Sequence, residues 1–591
     1  MSALRGVPAS RLPAAPFDTP GAAAGLPACY AAGQFPAPSL PADAMYDTLI
    51  RAARVLDGSG SAPFTADVAV RDGRIAGIGR ITDAARQVVD ADGLALMPGI
   101  VDVHTHYDAQ LTWDRTMSPS PSLGVTTAVI GNCGFGIAPC PSEQRETMLK
   151  NLSVVEGMDL DALLTGTRWD FESFPQYLGA LRAIGPYANV GALAGHSTIR
   201  TAVMGDEAST RAEAAPEQLA RMQAAVREAL QAGAIGLASS FSPNHAGFGG
   251  RPMPSTIAPE AELRALAQPV REANRGIFVM ATGARATTEF MESLAAETGR
   301  PAFMVTVLTM YNDAAPDTAI GYYQRTAAAR ARGHEVYIHT SCQPLSFDFT
   351  LRNPYLLYSH AAFTRVKAAT PERLPAIYAD PQFRREFRDN LRNPGQGILF
   401  YGDWSKIEVD EQPVTALAQA AGKDPLGYFF DLPLDTPLIA KLFQNNDAGV
   451  APLLRHDSGV LALSDAGAHL IYLCDAGFGL HFLRHWVRET GTFTLEDGVR
   501  RLTSHPAALY RIPGRGRIFE GAWADLLLFD ADRIGVSALE RVADLPGGGT
   551  RMLRRPHGLH GVWVNGTQVH DGRDYLPLPR GPGQVLTQFA A

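Results

Sequence analysis

From Met45 onward, apolar and polar positions fall into short alternating pieces, YDTLIRAARVLDG, ADVAVRDGRIAGIG and ARQVVDADG, each ended by a turn signal. Val68 and Val70 lie on one face of such a piece, and Asp72-Gly73 is the two-residue signature of a tight hairpin. A matching pattern closes the chain in ADLLLFDAD and GVWVNGTQVHDG, where Asn565-Gly566 is a second hairpin signal. The two chain ends are therefore expected to build one β-sandwich, from residues 45–97 and from residues 511–591 with a C-terminal tail.

Between these ends the pattern changes to buried-strand runs separated by helical stretches. In PEQLARMQAAVREALQAG, for instance, Leu219, Met222, Val226 and Leu230 share one helical face. Eight runs qualify as strands: ALMPGIVDVHTH, GVTTAVIGNCG, ANVGALAGH, AGAIGLASS, RGIFVMATG, PAFMVTVLT, EVYIHTS and GVLALSDAGAH. Strand and helix in alternation imply a parallel sheet, and eight strands close a (β/α)8 TIM barrel, expected over residues 98–510. Strands seven and eight are separated by more than a normal βα loop, so residues 343–458 are expected to form a helical insertion over the barrel mouth.

Composition narrows the partners. At 591 residues the chain exceeds one ordinary core, which suits a barrel with accessory modules. A net charge of −8 without a Lys/Arg block argues against nucleic acid and against anionic membrane surfaces, leaving a small-molecule substrate. No run is long and apolar enough to span a membrane. Five scattered cysteines, Cys29, Cys133, Cys140, Cys342 and Cys474, are unlike a disulfide framework and suggest the cytoplasm. Residues 1–44, rich in Ala and Pro, read as a disordered extension. The oligomeric state stays open, a homo-oligomer included.

The candidate chemistry sits at strand ends, where barrel enzymes place their sites. In PGIVDVHTHYDAQLTWD, His104 and His106 are two residues apart, so an extended backbone turns both to the same side. Neutral imidazoles suit zinc, although two histidines can also simply close a strand. The eighth run ends in Ser464-Asp465, which a closed barrel brings beside the first strand. A carboxylate beside two imidazoles makes a facial metal triad with open positions.

These residues resemble the amidohydrolase superfamily and, within it, the N-acyl-D-amino-acid deacylase (D-aminoacylase) family. PGIVDVHTHYDAQ, GVTTAVIGNCGFG, GHSTIRTAVMG, GAIGLASS and SDAGAH carry the resemblance, as do DGRIAGIG and GRIFEGAWADLLLFD in the end modules. It implies His104, His106, Cys133 and Asp465 as metal ligands, with Asp465 also the catalytic acid/base. The histidines that the family carries at the ends of strands five and six, with an adjoining lysine, are replaced here by FVMATGAR and MVTVLTM. One Zn2+ ion is therefore favoured over two. Subgroups that use a carboxylated lysine match less well, because GAIGLASS offers no lysine.

His196, Arg200, His245 and His339 are candidate substrate-binding groups, Arg200 as a bidentate carboxylate clamp. His196 and His339 have a competing reading as core histidines, and His339 also one as ligand or acid/base. His469, four residues after Asp465, is a candidate supporting partner. The function implied is metal-dependent hydrolysis of a C–N amide bond, in an N-acyl D-amino acid or related small amide. Hydrolysis of an ester, carbamate, cyclic imide or C–C bond, and a degenerate ligand-binding barrel, are the alternatives.

Overall fold

The computed structural model describes residues 45–242, 245–283, 285–305, 309–358, 360–392, 400–468 and 476–590. The expected N-terminal extension, Cys29, His469 and Cys474 lie outside the described residues.

Both chain ends enter one eight-stranded sheet. Tyr46–Val55 pairs antiparallel with Phe64–Arg71 and parallel with Ala85–Asp90 along its first half and Ala95–Pro98 along its second. Phe64–Arg71 also pairs antiparallel with Arg74–Gly79, Leu526–Phe529 pairs antiparallel with Ala95–Pro98, and Leu559–Val564 and Thr567–His570 complete the sheet. Both hairpin signals fold as expected. Asp72 and Gly73 (φ 51° and 74°), and likewise Asn565 and Gly566 (φ 45° and 77°), take the left-handed conformations that match the strand twist. Ile50, Val55, Val68, Val70, Leu96, Leu526, Leu528 and Trp563 form one core across both halves.

All eight strand runs enter a parallel sheet in sequence order: β1 (Ile100–Asp102), β2 (Val125–Ile130), β3 (Asn189–Gly195), β4 (Gly236–Ser240), β5 (Ile277–Ala281), β6 (Ala302–Val305), β7 (Val336–Thr340) and β8 (Gly459–Leu461). Every residue of these strands is buried, as in a sheet covered on both faces. Inward-facing Val101, Val129, Leu193, Val279, Phe303, Tyr337 and Val460 fill the interior, with Leu586 and Phe589 of the C-terminal tail packed against the same cluster. Loop contacts join the ends of β8 and β1: the His106 N–H donates to the Ala466 carbonyl at 2.8 Å, and the Ser464 hydroxyl to the His104 carbonyl at 3.4 Å.

The insertion carries the expected helices and adds a small sheet to them. Among the helices is Pro381–Arg392 with buried Phe383 and Phe387, and the sheet is a four-stranded antiparallel one of Leu345–Phe349, Leu438–Phe443, Ile407–Val409 and Gln412–Pro413. Burial explains this. Leu345, Phe347 and Phe349, and Leu438, Ala440 and Leu442, repeat every second residue and turn one sheet face toward the aromatic side chains of the insertion, in a cluster continuous with the barrel interior.

Candidate metal centre

The chain continues from β1 through Val103 in extended form and delivers His104 and His106 to the C-terminal rim. His104 is anchored by its N–H, which donates to Asp102 Oδ1 at 3.2 Å. Cys133 follows β2 in a tight turn and itself adopts a left-handed backbone (φ 55°). The Asn132 side-chain amide donates to the carbonyls of Thr105 (3.3 Å) and Val129 (2.9 Å), which ties this turn to the histidine strand. Asp465, after β8, is also left-handed (φ 46°). Gly467 (φ 92°) lets that loop close, since a Cβ there would lie 2.6 Å from the Tyr107 backbone nitrogen.

These elements converge. His104 Nε2 is 3.3 Å from Asp465 Oδ1 and 3.7 Å from Cys133 Sγ, and His106 Nε2 is 3.6 Å from the same Asp465 oxygen. Ligating atoms of His104, His106 and Cys133 all lie within 4.8 Å of one another, a group able to hold a metal ion among the described residues. Nitrogen and sulfur donors at roughly 2.0–2.3 Å from a tetrahedral zinc stand roughly 3.3–3.7 Å apart, so the spacing fits a divalent ion.

Each imidazole is also held from behind. His106 Nδ1 faces Glu156 Oε1 at 3.3 Å, and His104 Nδ1 lies 3.0 Å from His339 Nδ1. His339 Nε2 in turn lies 2.6 Å from the Tyr510 hydroxyl. Burial keeps the His104 imidazole well below its ordinary pKa and brings His339 down to about 3, so both rings are neutral. For His106 burial pulls the same way, but Glu156, then Asp465 and Cys133, outweigh it and hold the ring well above the usual value. Burial pushes the Cys133 thiol up to about 11, and the carboxyls of Asp102 and Asp108 up to about 7. Asp108 Oδ2 accepts the Gly131 N–H at 3.0 Å, which ties the start of the Cys133 turn to the chain just after His106.

The remaining candidates are placed differently. His196 is fully buried, with Nδ1 2.8 Å from Ser239 Oγ and Nε2 2.9 Å from Glu262 Oε1. Arg200 donates to the same Glu262 oxygen, to the carbonyls of Ala208 (3.2 Å) and Ala212 (2.7 Å), and to that of Arg211. Four residues apart on the helix His196–Met204, the two side chains meet one buried glutamate, so Arg200 makes a buried ion pair here. His339 is placed as its competing reading has it, buried with both nitrogens engaged inside the protein. His245 is half-buried beside Phe135 with Nδ1 2.7 Å from Ser240 Oγ. At the end of β5 the described residue is Thr282, whose hydroxyl is buried.

Glu156, Tyr510 and Glu262 escaped the sequence reading. Glu156 carried one usable signal, a lone acid among apolar and glycine neighbours in VVEGM. The insertion, together with Cys342, His481, His485 and Trp486, encloses a polar cavity of about 430 Å³ at the rim beyond β7; no side chain of the metal centre lines it.

The amidohydrolase family model matches residues 87–380 and 438–570. It passes over 381–437, inside the insertion. A D-aminoacylase of Alcaligenes xylosoxydans xylosoxydans is 29% identical over 558 residues, covering 92% of this chain and 98% of that protein. An N-acyl-D-aspartate deacylase of the same organism is 29% identical over 569 residues, covering 92% and 96%. The structure of an N-acyl-D-glutamate deacylase from Bordetella bronchiseptica, complexed with zinc and a phosphonate mimic of the tetrahedral intermediate, is similar at a TM-score of 0.62 and 26% identity, covering 92% of this chain and all of that one.

Proposed function

The chain belongs to the amidohydrolase family, and from that premise we propose that this metal-dependent C–N hydrolase deacylates an N-acyl D-amino acid or a closely related small amide. The observation that carries the reading is the convergence of His104, His106, Cys133 and Asp465 from three strand ends into one metal-sized cluster. The deacylases similar over nine-tenths of the chain support the substrate class.

His104, His106 and Cys133 would hold a single ion, zinc being the match for two imidazoles and a thiolate. When bound, such an ion supplies Lewis acidity, lowering the pKa of water and polarising a carbonyl. Asp465, beside both imidazoles and partly open to the mouth, completes the shell and takes a proton from the attacking water at its carboxylate. It then returns that proton to the leaving nitrogen. His245, half-buried with its ring against Phe135 two residues after Cys133, is the group we assign to the acyl side of the substrate. Cys133, Cys140 and Cys342 are thiols rather than disulfide halves, which supports a reducing, cytoplasmic setting as part of this reading.

One observation favours a second reading. Arg200 faces inward, and MVTVLTM has no lysine where the family carries one after strand six, so neither of these two cations is offered to a substrate carboxylate. An amide without a free carboxylate, or an ester, carbamate, cyclic imide or C–C substrate, suits that arrangement. Elemental analysis and a substrate panel test both readings. About one metal per chain with turnover of N-acetyl-D-amino acids supports the first; turnover only of uncharged amides or esters selects the second, and a metal-free chain that hydrolyses none of them overturns both.

A further inference from the structure

Two histidines from opposite ends of the barrel sequence share one hydrogen behind the centre. His104 Nδ1 and His339 Nδ1 stand 3.0 Å apart, and two imidazole nitrogens bond at that distance only when one carries the hydrogen and the other a lone pair. Both residues are 1% exposed, which shields the bond from water. On its far side His339 meets the Tyr510 hydroxyl at 2.6 Å, and Phe303 packs against both the His339 and Tyr510 rings, at centroid distances of 5.9 and 4.5 Å. The His339 ring is thereby fixed from three directions.

This arrangement has a directional consequence. If the shared hydrogen sits on His104 Nδ1, then His104 Nε2, the atom facing Cys133 Sγ and Asp465 Oδ1, presents a lone pair. If it sits on His339 Nδ1, a neutral His104 carries its own hydrogen on Nε2 and that donor is blocked. Only the first arrangement suits a ligand.

We propose that His339 is a positioning residue for the metal centre: its Nδ1 accepts the His104 Nδ1–H and so fixes the His104 tautomer whose Nε2 is free to bind the ion. The inference rests on His104 being a metal ligand. Tyr510, accepting from His339 Nε2, locks the acceptor in turn. His339 is therefore no substitute for the ligands missing at strands five and six, since neither of its nitrogens points at the cluster. The chain instead uses the end of β7 to orient a ligand borne on β1.

The test is zinc affinity of the full-length protein by chelator competition, together with the thiolate-to-metal absorption of the Co(II) form. His339→Leu is expected to weaken binding about 10- to 100-fold. His339→Asn, whose Oδ1 can replace the Nδ1 acceptor, is expected to recover most of that loss. His339→Gln, whose amide reaches instead toward the Tyr510 side, is not, and Tyr510→Phe is expected to weaken binding less than His339→Leu. A His339→Leu protein that melts like wild type and keeps wild-type affinity overturns the proposal, as does equal affinity of His339→Asn and His339→Gln, which decides the matter even if His339→Leu does not fold. His104→Ala separates the premise: unchanged metal binding there overturns the metal reading and this inference with it, whereas loss there beside a silent His339→Leu overturns the positioning role alone.

Discussion

His106 and Glu156 face one another across 3.3 Å, a ring nitrogen and a carboxylate oxygen that are both almost completely buried. Glu156 caps the C-terminus of the helix Arg145–Val155, so the end of that helix is aimed at a histidine that follows β1. A carboxylate behind an imidazole fixes which nitrogen carries hydrogen and raises the donor strength of the other. Glu156→Gln keeps the shape and removes the charge. It is expected to lower zinc affinity about 10- to 100-fold in chelator competition, and wild-type affinity in a folded variant would remove Glu156 from the centre.

Asp465 touches both histidines through one oxygen, yet its side chain is the most open of the cluster, at 15% exposure. That combination suits a group that exchanges protons with water while staying beside the ion. Asp465→Asn is expected to retain metal by elemental analysis and to lose turnover by about 10²- to 10⁴-fold. Turnover equal to wild type would mean that another group serves as acid and base.

The eight barrel strands are legible in the sequence because strands covered on both faces read as unbroken apolar runs, and the rim ligands follow because they stand directly after those runs. What is not legible depends on which face of an element meets a distant partner. The two strands Leu345–Phe349 and Leu438–Phe443 pair across nearly the whole insertion, and neither pattern names the other. His196 and Arg200 read as site residues from their motif, but only the packed structure reveals Glu262 between them. His339 stands where a site residue should, on a barrel strand at the rim, and its partner His104 turns it from ligand candidate to support.

The His196–Glu262–Arg200 cluster makes stability depend on acid. Burial would raise the Glu262 carboxyl, but His196 and then Arg200 outweigh it and hold the group below its ordinary value of 4.5. A carboxyl whose folded value is depressed stabilises fully above the unfolded value, and that contribution fades as pH falls below 4.5 through the folded value. Glu262→Gln leaves the Arg200 charge buried without its counter-charge, at an expected cost of about 3–5 kcal/mol at neutral pH. Its melting temperature should also fall less steeply than that of wild type below pH 4.5; parallel acid profiles for the two proteins would contradict the assignment.

The loop after β8 approaches the backbone of His106 and Tyr107 so closely at Gly467 that no room is left for a side chain. Gly467 has φ 92° two residues after Asp465, and a Cβ there would lie 2.6 Å from the Tyr107 nitrogen and 2.7 Å from the His106 carbonyl carbon. Gly333 has the same φ of 92° with nothing within 4 Å of an added Cβ, so it carries the conformational cost alone. Gly333→Ala is expected to cost about 1–2 kcal/mol of stability and nothing in metal affinity. Gly467→Ala pays that conformational cost too and must in addition push the loop bearing Asp465 away from the backbone of His106, parting the carboxylate from the imidazoles. Its stability loss should exceed that of Gly333→Ala, and its zinc affinity and turnover should fall together. Equal melting losses for the two variants, with unchanged zinc affinity in Gly467→Ala, would show that the β8 loop reaches its place beside β1 without this contact.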